Sequence, residues 1–280
     1  GDPVEMMVPP EATQADKERV RAAYGLDKPA VQQFGLFLGR AVQGDFGTSL
    51  FQRKPALTLV MERFPATLKL TLASVVLSIL FGVPLGIVAA LKRGSIIDVV
   101  ASALGVLGQT IANFWLALML ILVFAVRLKW FPPSGNHDGL RSLVLPSVAL
   151  CVWLLALLAR MTRSGMLEVM SEDFIRTARA KGLAERAVVI RHSLRHVLAP
   201  LVTVTSLSLG WQLGGAVVIE SVFAWQGVGQ LLLQSVLLRD YPVVLASVSI
   251  LATVFILLNM LTDILYPLID PRMRDQRRGV

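Results

Sequence analysis

Leu70–Leu91 reads LTLASVVLSILFGVPLGIVAAL and carries no charged side chain. Four more uncharged runs follow along the chain: Val99–Val126, Ser142–Ala159, Val197–Ile219 and Tyr241–Thr262. Each is close to the ~20 residues that a helix needs to cross a hydrocarbon core about 30 Å thick. Because a backbone in lipid has to satisfy its own hydrogen bonds, each run is expected to be helical. The pattern predicts an all-α integral membrane protein with five transmembrane helices, and disfavours a soluble protein with a large helical core.

The composition of the chain agrees with a membrane protein. Of its 280 residues, 55% are hydrophobic and only 16% are charged, with a mean hydropathy of +0.66, which is too apolar for an ordinary soluble domain. Cys151, the single cysteine, lies inside an apolar run, where a small packing residue is expected. His192 and His196 form an i, i+4 pair without the glutamate of a HExxH motif, so no metal site is predicted.

The basic residues indicate which ends of the spans face the cytoplasm. The net charge of +8 does not indicate nucleic-acid binding, because the positive side chains cluster beside the spans. The clusters lie in connections on one side of the membrane: Lys92 with Arg93, residues 160–195, and residues 272–278. The positive-inside rule makes that side the cytoplasm.

Residues 1–65 are then expected to be an external, amphipathic and mostly helical segment. Helices are predicted over Glu11–Tyr24 and Ala30–Val42, with a turn at Gly44–Gly47. An external segment of this size needs an export signal, and Gly1 is not preceded by one, so we expect a hydrophobic helix upstream. Glu220–Tyr241 is expected to be an external connection with a short re-entrant or interfacial helix, since another span would place the C-terminal arginines outside.

The sequence carries no catalytic constellation. It has no phosphate loop of the form GxxxxGK[ST], no GxSxG elbow and no HExxH motif, so we expect a transport subunit that is not an enzyme. The interiors of the five runs contain no ionisable side chain, and Glu220 and Asp263 lie near span ends. A proton-driven carrier needs a titratable relay, so a secondary carrier or channel is the disfavoured alternative. A membrane scaffold or intramembrane enzyme is a more distant one.

The stretch Ser171–Pro200, SEDFIRTARAKGLAERAVVIRHSLRHVLAP, is a polar segment between two spans. Ser171 is predicted to cap a helix, with Glu172 and Asp173 favouring its positive end. Gly182 is predicted to end it. The residue types are compatible with docking on a partner protein and equally with a helix resting on lipid headgroups. The side chains at helical spacing along it are Phe174, Thr177, Ala178 and Lys181.

This stretch resembles the EAA-type loop of binding-protein-dependent ABC transporter permeases. EDFIRTARAKGL followed by RHSLRHVLAP is most similar to the dipeptide, oligopeptide and glutathione permease subfamily. Shorter segments match that subfamily in order over essentially the whole chain: Leu26–Pro29, Gln43–Gly47, Pro65–Leu68, Ala89–Ser95, Arg160–Ser164, Arg239–Val243 and Asp270–Arg272.

The resemblance implies a type I importer permease whose first helix is missing here. Its expected partners are a homologous second permease, two ATPase subunits that bind ATP and Mg, an external solute-binding protein and membrane lipid. It implies no cofactor on this chain and placement in the cytoplasmic (inner) membrane. The permease domain is expected over residues 66–270, with spans at about 66–91, 99–126, 142–163, 197–219 and 243–269, a cytoplasmic coupling loop at 164–196 and a basic cytoplasmic tail at 271–280.

The family's coupling helix, which enters a groove on an ATPase, maps onto this loop. By resemblance, the contact residues are Glu172, Asp173, Phe174, Arg176, Thr177, Ala178, Lys181 and Gly182. Two departures from the family pattern stand out. Arg176-Thr177-Ala178 replaces the general EAA triplet, and Ala224–Gly229 reads AWQGVG where the family has SWPGLG.

The substrate path is expected to be lined by polar or aromatic side chains within the spans. Each of them could instead serve interhelical hydrogen bonding or packing. The resemblance suggests di- and oligopeptides, glutathione or a related small solute as cargo. The candidate path residues are Gln109, Asn113, Trp115, Trp211, Gln212 and Asn259.

Overall fold

The computed structural model describes residues 13–23 and 27–269, and these are almost entirely helical. The predicted tail at 271–280, residues 1–12 and the C-terminal end of the Glu11–Tyr24 helix lie outside the described residues. The helices are α1 Gln14–Ala23, α2 Ala30–Val42, α3 Ala56–Leu91, α4 Ile96–Thr110, α5 Asn113–Arg127, α6 Leu140–Met170, α7 Asp173–Ala180, α8 Glu185–Val222, α9 Val228–Leu238 and α10 Tyr241–Ile269. Within α5 and α8, Ile121–Arg127 and Val188–Ser193 are wound as π-helix.

Four helices among the described residues are long and apolar enough to cross a membrane, namely α3, α6, α8 and the Tyr241–Thr262 part of α10. A fifth span is present if α4 and α5 together count as one. The prediction of an all-helical membrane protein is confirmed.

The second predicted span is not one continuous helix. α4 and α5 meet at an angle of 107°. Ile111 and Ala112, which separate them, both take an extended backbone conformation. Hydropathy alone gave no sign of this break, because both residues are as apolar as their helical neighbours.

The described residues form two compact units, one within Gly1–Glu62 and Leu231–Ile250 and the other within Arg63–Gln230 and Leu251–Val280. In the first unit, α2 has the bounds that the sequence predicted. The turn after it is also confirmed, because Gly44 and Gly47 both have positive φ. The loop after Gly47 is held by Asp240, whose carboxylate accepts hydrogen bonds from Ser49 Oγ at 2.5 Å and from the Leu50 amide at 3.3 Å.

The second unit is organised around α6. About 61% of the most apolar stretch of α6 is buried, against 33% for α3 and for α8. α3 crosses α6 closely through two glycines one turn apart, because a Cβ on Gly82 would lie 2.8 Å from the Leu155 carbonyl oxygen and one on Gly86 would lie 2.5 Å from that of Ala159. Small residues at a crossing allow helix backbones to approach in a membrane.

Two groups of buried side chains form the core of this unit. One group lies toward the α8–α9 connection and the other toward α7. The first contains Leu70, Ala117, Leu145, Leu150, Ala216, Ile219, Phe223 and Trp225, and the second contains Val75, Leu154, Leu158, Met166, Val189, Val197 and Leu201.

Candidate functional site

The predicted coupling helix exists as α7, joined to the end of α6 by Ser171 and Glu172. The prediction that Ser171 caps α7 is wrong. Ser171 is instead the C-terminal cap of α6, where its hydroxyl donates to the Glu168 carbonyl oxygen at 2.7 Å. Glu172 takes the N-cap position of α7 with an extended backbone. Since the connection is only two residues long, α7 is held close to the end of α6.

The end of α7 is as the sequence indicated. Gly182 has a φ of +75°, the left-handed conformation in which glycine commonly follows a helix. Its amide donates to the Arg179 carbonyl oxygen at 2.9 Å, and the Lys181 amide donates to that of Thr177 at 3.1 Å.

α7 turns one narrow apolar face toward its own chain. Ile175 is 0% exposed and Ala178 is 7% exposed, and both contact Val188 near the start of α8. The side chain of Ala178 therefore faces inward, although it was included among the partner-contact residues. The i, i+3 spacing of Ile175 and Ala178 was the signal for this face, and sequence reasoning did not use it. The other predicted contact residues are all exposed: Glu172, Asp173, Phe174, Arg176, Thr177, Lys181 and Gly182.

Residues of α7 form two ion pairs. Arg176 contacts Asp173 at 3.3 Å within the helix, and both side chains are largely in solvent. Arg179 makes two hydrogen bonds to the Glu185 carboxylate, at 2.7 and 3.2 Å. These bonds raise the pKa of Arg179 above its ordinary value and tie the end of α7 to the start of α8. The Arg179–Glu185 contact was not predicted.

A cavity of about 670 Å³ lies beside α7, between the C-terminal turns of α6 and the part of α8 around His196–Leu201. The rings of Phe174 and His196, whose centroids are 5.1 Å apart, line it together. Arg160 and His196 contribute basic groups, and Glu168 and Glu172 contribute carboxylates. The cavity can therefore accept side chains of either charge from a bound molecule.

The predicted path residues fall at different places in the second unit. Gln109 and Asn113 stand on the two sides of the break between α4 and α5. Asn113 also approaches α8, because its Nδ2 would lie 3.9 Å from a Cβ on Gly215. Gln212 is buried and its Nε2 has no hydrogen-bond partner among the described residues. Trp115 and Trp211 are exposed, and Asn259 is half-buried on α10.

The connection after α8 contains a second polar site, which sequence reasoning missed. Glu220 is 0% exposed, and its Oε2 accepts hydrogen bonds from the amides of Gly229 at 2.7 Å and Gln230 at 3.1 Å. These amides belong to the first turn of α9, so the carboxylate caps the positive end of that helix. α9 is the short helix that the sequence predicted for this connection.

The glycines of the AWQGVG motif make room for this carboxylate. A Cβ on Gly227 would clash with the Glu220 carboxylate itself. A Cβ on Gly229 would lie 2.9 Å from Glu220 Oε2 and 2.5 Å from the Val217 Cα. Glycine is therefore required at both positions for steric reasons.

The same connection is hydrogen-bonded to α3. Trp225 Nε1 donates to the Ala66 carbonyl oxygen at 3.0 Å, and the Val228 amide donates to Thr67 Oγ1 at 2.8 Å. Gln226, which stands where the family pattern has proline, accepts a hydrogen bond from Arg63 at 3.0 Å. We name residues 220–230 the clasp, because they join α8 and the start of α9 to α3.

Comparison with known proteins identifies the class. The family described as "Binding-protein-dependent transport system inner membrane component" matches residues 82–275. The chain belongs to this family. It is therefore the permease component of a binding-protein-dependent ABC transport system, placed in the inner membrane.

Two curated relatives are similar over nearly the whole chain. The glutathione transport system permease protein GsiC of Escherichia coli strain K12 is 42% identical over 274 residues, which cover 98% of this chain and 89% of that protein. The oligopeptide transport system permease protein AppB of Bacillus subtilis strain 168 is 41% identical over 283 residues, covering 98% of this chain and 90% of that one.

Solved structures support the same fold. The MetNI methionine ABC transporter in an inward-facing conformation matches with a TM-score of 0.64 and 22% identity, over 76% of this chain and 96% of that chain. An amino acid ABC transporter crystallised with histidines matches with a TM-score of 0.59 and 17% identity, over 75% of this chain and 93% of that chain. The fold prediction of a type I importer-like permease is thereby confirmed.

Proposed function

We propose that this permease passes peptides or a related small solute such as glutathione into the cell, driven by partner ATPases that dock on α7. The cargo class is supported by the relatives, since one is a glutathione permease and another an oligopeptide permease, each more than 40% identical to this chain. In this proposal a homologous second permease completes the path. Two ATPase subunits bind ATP and Mg and hydrolyse the ATP, and an external solute-binding protein delivers the cargo.

The observation that carries the docking proposal is the orientation of α7. A helix that rests on lipid headgroups turns its apolar face outward to the membrane. α7 does the opposite, because Ile175 and Ala178 are buried against Val188 and the outward side presents Asp173, Arg176 and Thr177. A polar outward face of this kind suits a groove on a protein, and this favours a partner protein over lipid.

A groove on the ATPase would bind the exposed contact residues of α7, and the cavity beside α7 would bind side chains of the ATPase. Phe174 is the largest exposed apolar group on α7, at 42% exposure, and stands at the rim of that cavity. An aromatic group at the centre of an interface commonly carries a large share of the binding energy. Closure of the ATPases upon ATP binding would then displace α7 and switch the permease between its two access states.

Thr177→Arg tests this function in the complete complex, reconstituted in vesicles with its ATPases, second permease and binding protein. Thr177 is exposed on the outward side of α7, so the larger charged side chain should block docking while leaving the permease folded. We expect ATPase co-purification and vanadate-sensitive uptake of radiolabelled glutathione or trialanine to fall at least tenfold, i.e. by more than ~1.4 kcal/mol of docking free energy.

Arg191→Gln is the matched control, because Arg191 is an exposed cation of α8 outside the predicted contact. Normal ATPase co-purification with Thr177→Arg would contradict docking on α7. Uptake that persists without the ATPases and collapses with an uncoupler would instead support a secondary carrier.

A further inference from the structure

An ion pair joins α4 to α6 about two turns before α6 ends. Asp98 Oδ1 contacts Arg163 Nε at 2.5 Å, and Asp98 Oδ2 contacts Arg163 Nη2 at 2.9 Å. The side chain of Asp98 is 7% exposed and that of Arg163 is 29% exposed. Two parallel bonds between a carboxylate and a guanidinium fix orientation as well as distance. The pair therefore holds α4 in one position on α6.

Asp98 is itself fixed within the first turn of α4. Its Oδ2 also accepts from the Gly94 amide at 3.0 Å, and its own amide donates to Ser95 Oγ, the N-cap of α4. A displacement of Asp98 therefore carries the start of α4 with it.

The contact between α4 and α6 continues toward the break. A Cβ on Gly108 would lie 2.9 Å from Ala156 Cβ and 3.2 Å from Val152 Cγ1. The glycine thus lets the end of α4 lie directly on α6. Beyond the break, α5 also reaches α8, where Asn113 stands beside Gly215. The extended pair Ile111 and Ala112 separates these two halves.

We propose that the Asp98–Arg163 pair is the positioning element that passes movement of α7 to the broken span. α6 is unbroken from Arg163 to Met170, and α7 follows after two residues with the Glu172 amide bonded to the Val169 carbonyl oxygen. The end of α6 and α4 then move together with α7. Ile111–Ala112 is the hinge, which places the movement beside Gln109 and Asn113. This inference rests on the proposed function and names the residues that transmit its driving force.

The test measures the hinge directly in the full complex in nanodiscs. Spin labels are placed at Ile96 on α4 and Leu118 on α5, both exposed, with Cys151→Ala to remove the native thiol. The distance between the labels is measured without nucleotide and after ATP–vanadate trapping. We expect a distance change with the pair intact and with the control Lys92→Gln, which removes an exposed cation near α4.

In Asp98→Asn, we expect the distance change to be lost and the cargo moved per ATP hydrolysed to fall at least about fivefold. Arg163→Lys keeps the positive charge but loses the two parallel guanidinium hydrogen bonds. It should reduce both the distance change and the cargo moved per ATP, even if Asp98→Asn does not fold. The charge-reversed double variant Asp98→Arg with Arg163→Asp should regain part of the distance change. A distance change in Asp98→Asn and Arg163→Lys equal to that of Lys92→Gln would overturn the proposal, as would no change with the pair intact.

ATPase co-purification separates this inference from the function on which it rests. If the intact protein binds its ATPases and hydrolysis proceeds, the proposed function stands whatever the labels report. If no ATPase associates with the intact protein, the function itself fails.

Discussion

Two connections between the later helices of this permease, α7 and the clasp, are held in opposite ways. α7, between α6 and α8, has a buried face of two side chains and is otherwise exposed. The clasp, between α8 and α9, is largely buried, with Glu220, Phe223, Trp225 and Val228 all under 5% exposed. Both regions are rich in hydrogen bonds, but the clasp directs its bonds inward and α7 keeps its polar groups in solvent.

The difference separates a surface that we propose binds a partner from a joint that stabilises the fold. An exposed polar face costs little to change, since most surface substitutions alter stability by less than about 0.5 kcal/mol. A buried carboxylate that caps two amides cannot be altered without leaving those amides unpaired. Substitutions on the outer face of α7 should therefore affect association, and substitutions in the clasp should affect folding.

The largest expected effect comes from Glu220→Ala in the clasp. The change leaves the buried amides of Gly229 and Gln230 without an acceptor, each at a cost of about 1–3 kcal/mol, and adds a cavity. We expect the free energy of unfolding to fall by about 3–5 kcal/mol, seen as a much shorter thermal half-life of the purified complex. Glu220→Gln, which keeps one acceptor oxygen, should lose less.

Alanine substitutions at two glycines, Gly229 and Gly214, test whether the clasp requires glycine for steric reasons. Gly229→Ala at the start of α9 forces a methyl group against Val217 of α8, whereas Gly214→Ala in α8 meets nothing within 4 Å. Gly229→Ala should cost about 1–3 kcal/mol and Gly214→Ala should be neutral or slightly stabilising. Equal thermal half-lives for the two variants would contradict the close contact in the clasp.

An effect of intermediate size is expected from Ala178→Arg on the inner face of α7. The charged side chain cannot remain between Ile175 and Val188, so α7 should detach locally at a cost of about 1–3 kcal/mol. Protease digestion of the segment should become faster, and ATPase co-purification should be lost. Thr177→Arg should lose co-purification with no faster digestion. Identical digestion of these two variants would show that α7 does not have the two distinct faces described here.

The smallest effect is expected from Arg179→Ala, which removes the pair with Glu185. Exposed pairs contribute about 0.2–1 kcal/mol, and salt screens them. We expect a double-mutant cycle with Glu185→Gln, read by thermal unfolding, to give a coupling energy in that range that falls at high salt. A coupling energy several times larger would mean that α7 is held as rigidly as the clasp.

Local patterns predicted several elements correctly. The bounds of α2, the turn glycines Gly44 and Gly47, the end of α7 at Gly182 and the presence of a short helix after Glu220 all follow from neighbouring residue types. The predicted contact residues on and beside α7 are exposed, except for Ala178, and their contact with a partner stays a prediction. Ser171 was misassigned because the same residue type suits the start of one helix and the end of the previous one, and only the backbone distinguishes them.

The sequence by itself determined that the chain is helical, membrane-embedded and a member of its transport family, because long uncharged runs and contiguous motifs are properties of neighbouring residues. Only the tertiary structure decided the break at Ile111–Ala112, the Asp98–Arg163 pair and the burial of Glu220. Asp98 and Arg163 are 65 positions apart in the chain, and the role of Gly227 exists only because a carboxylate lies against it. Such contacts depend on which surfaces meet after folding, and no local pattern of hydropathy or helix propensity records that choice.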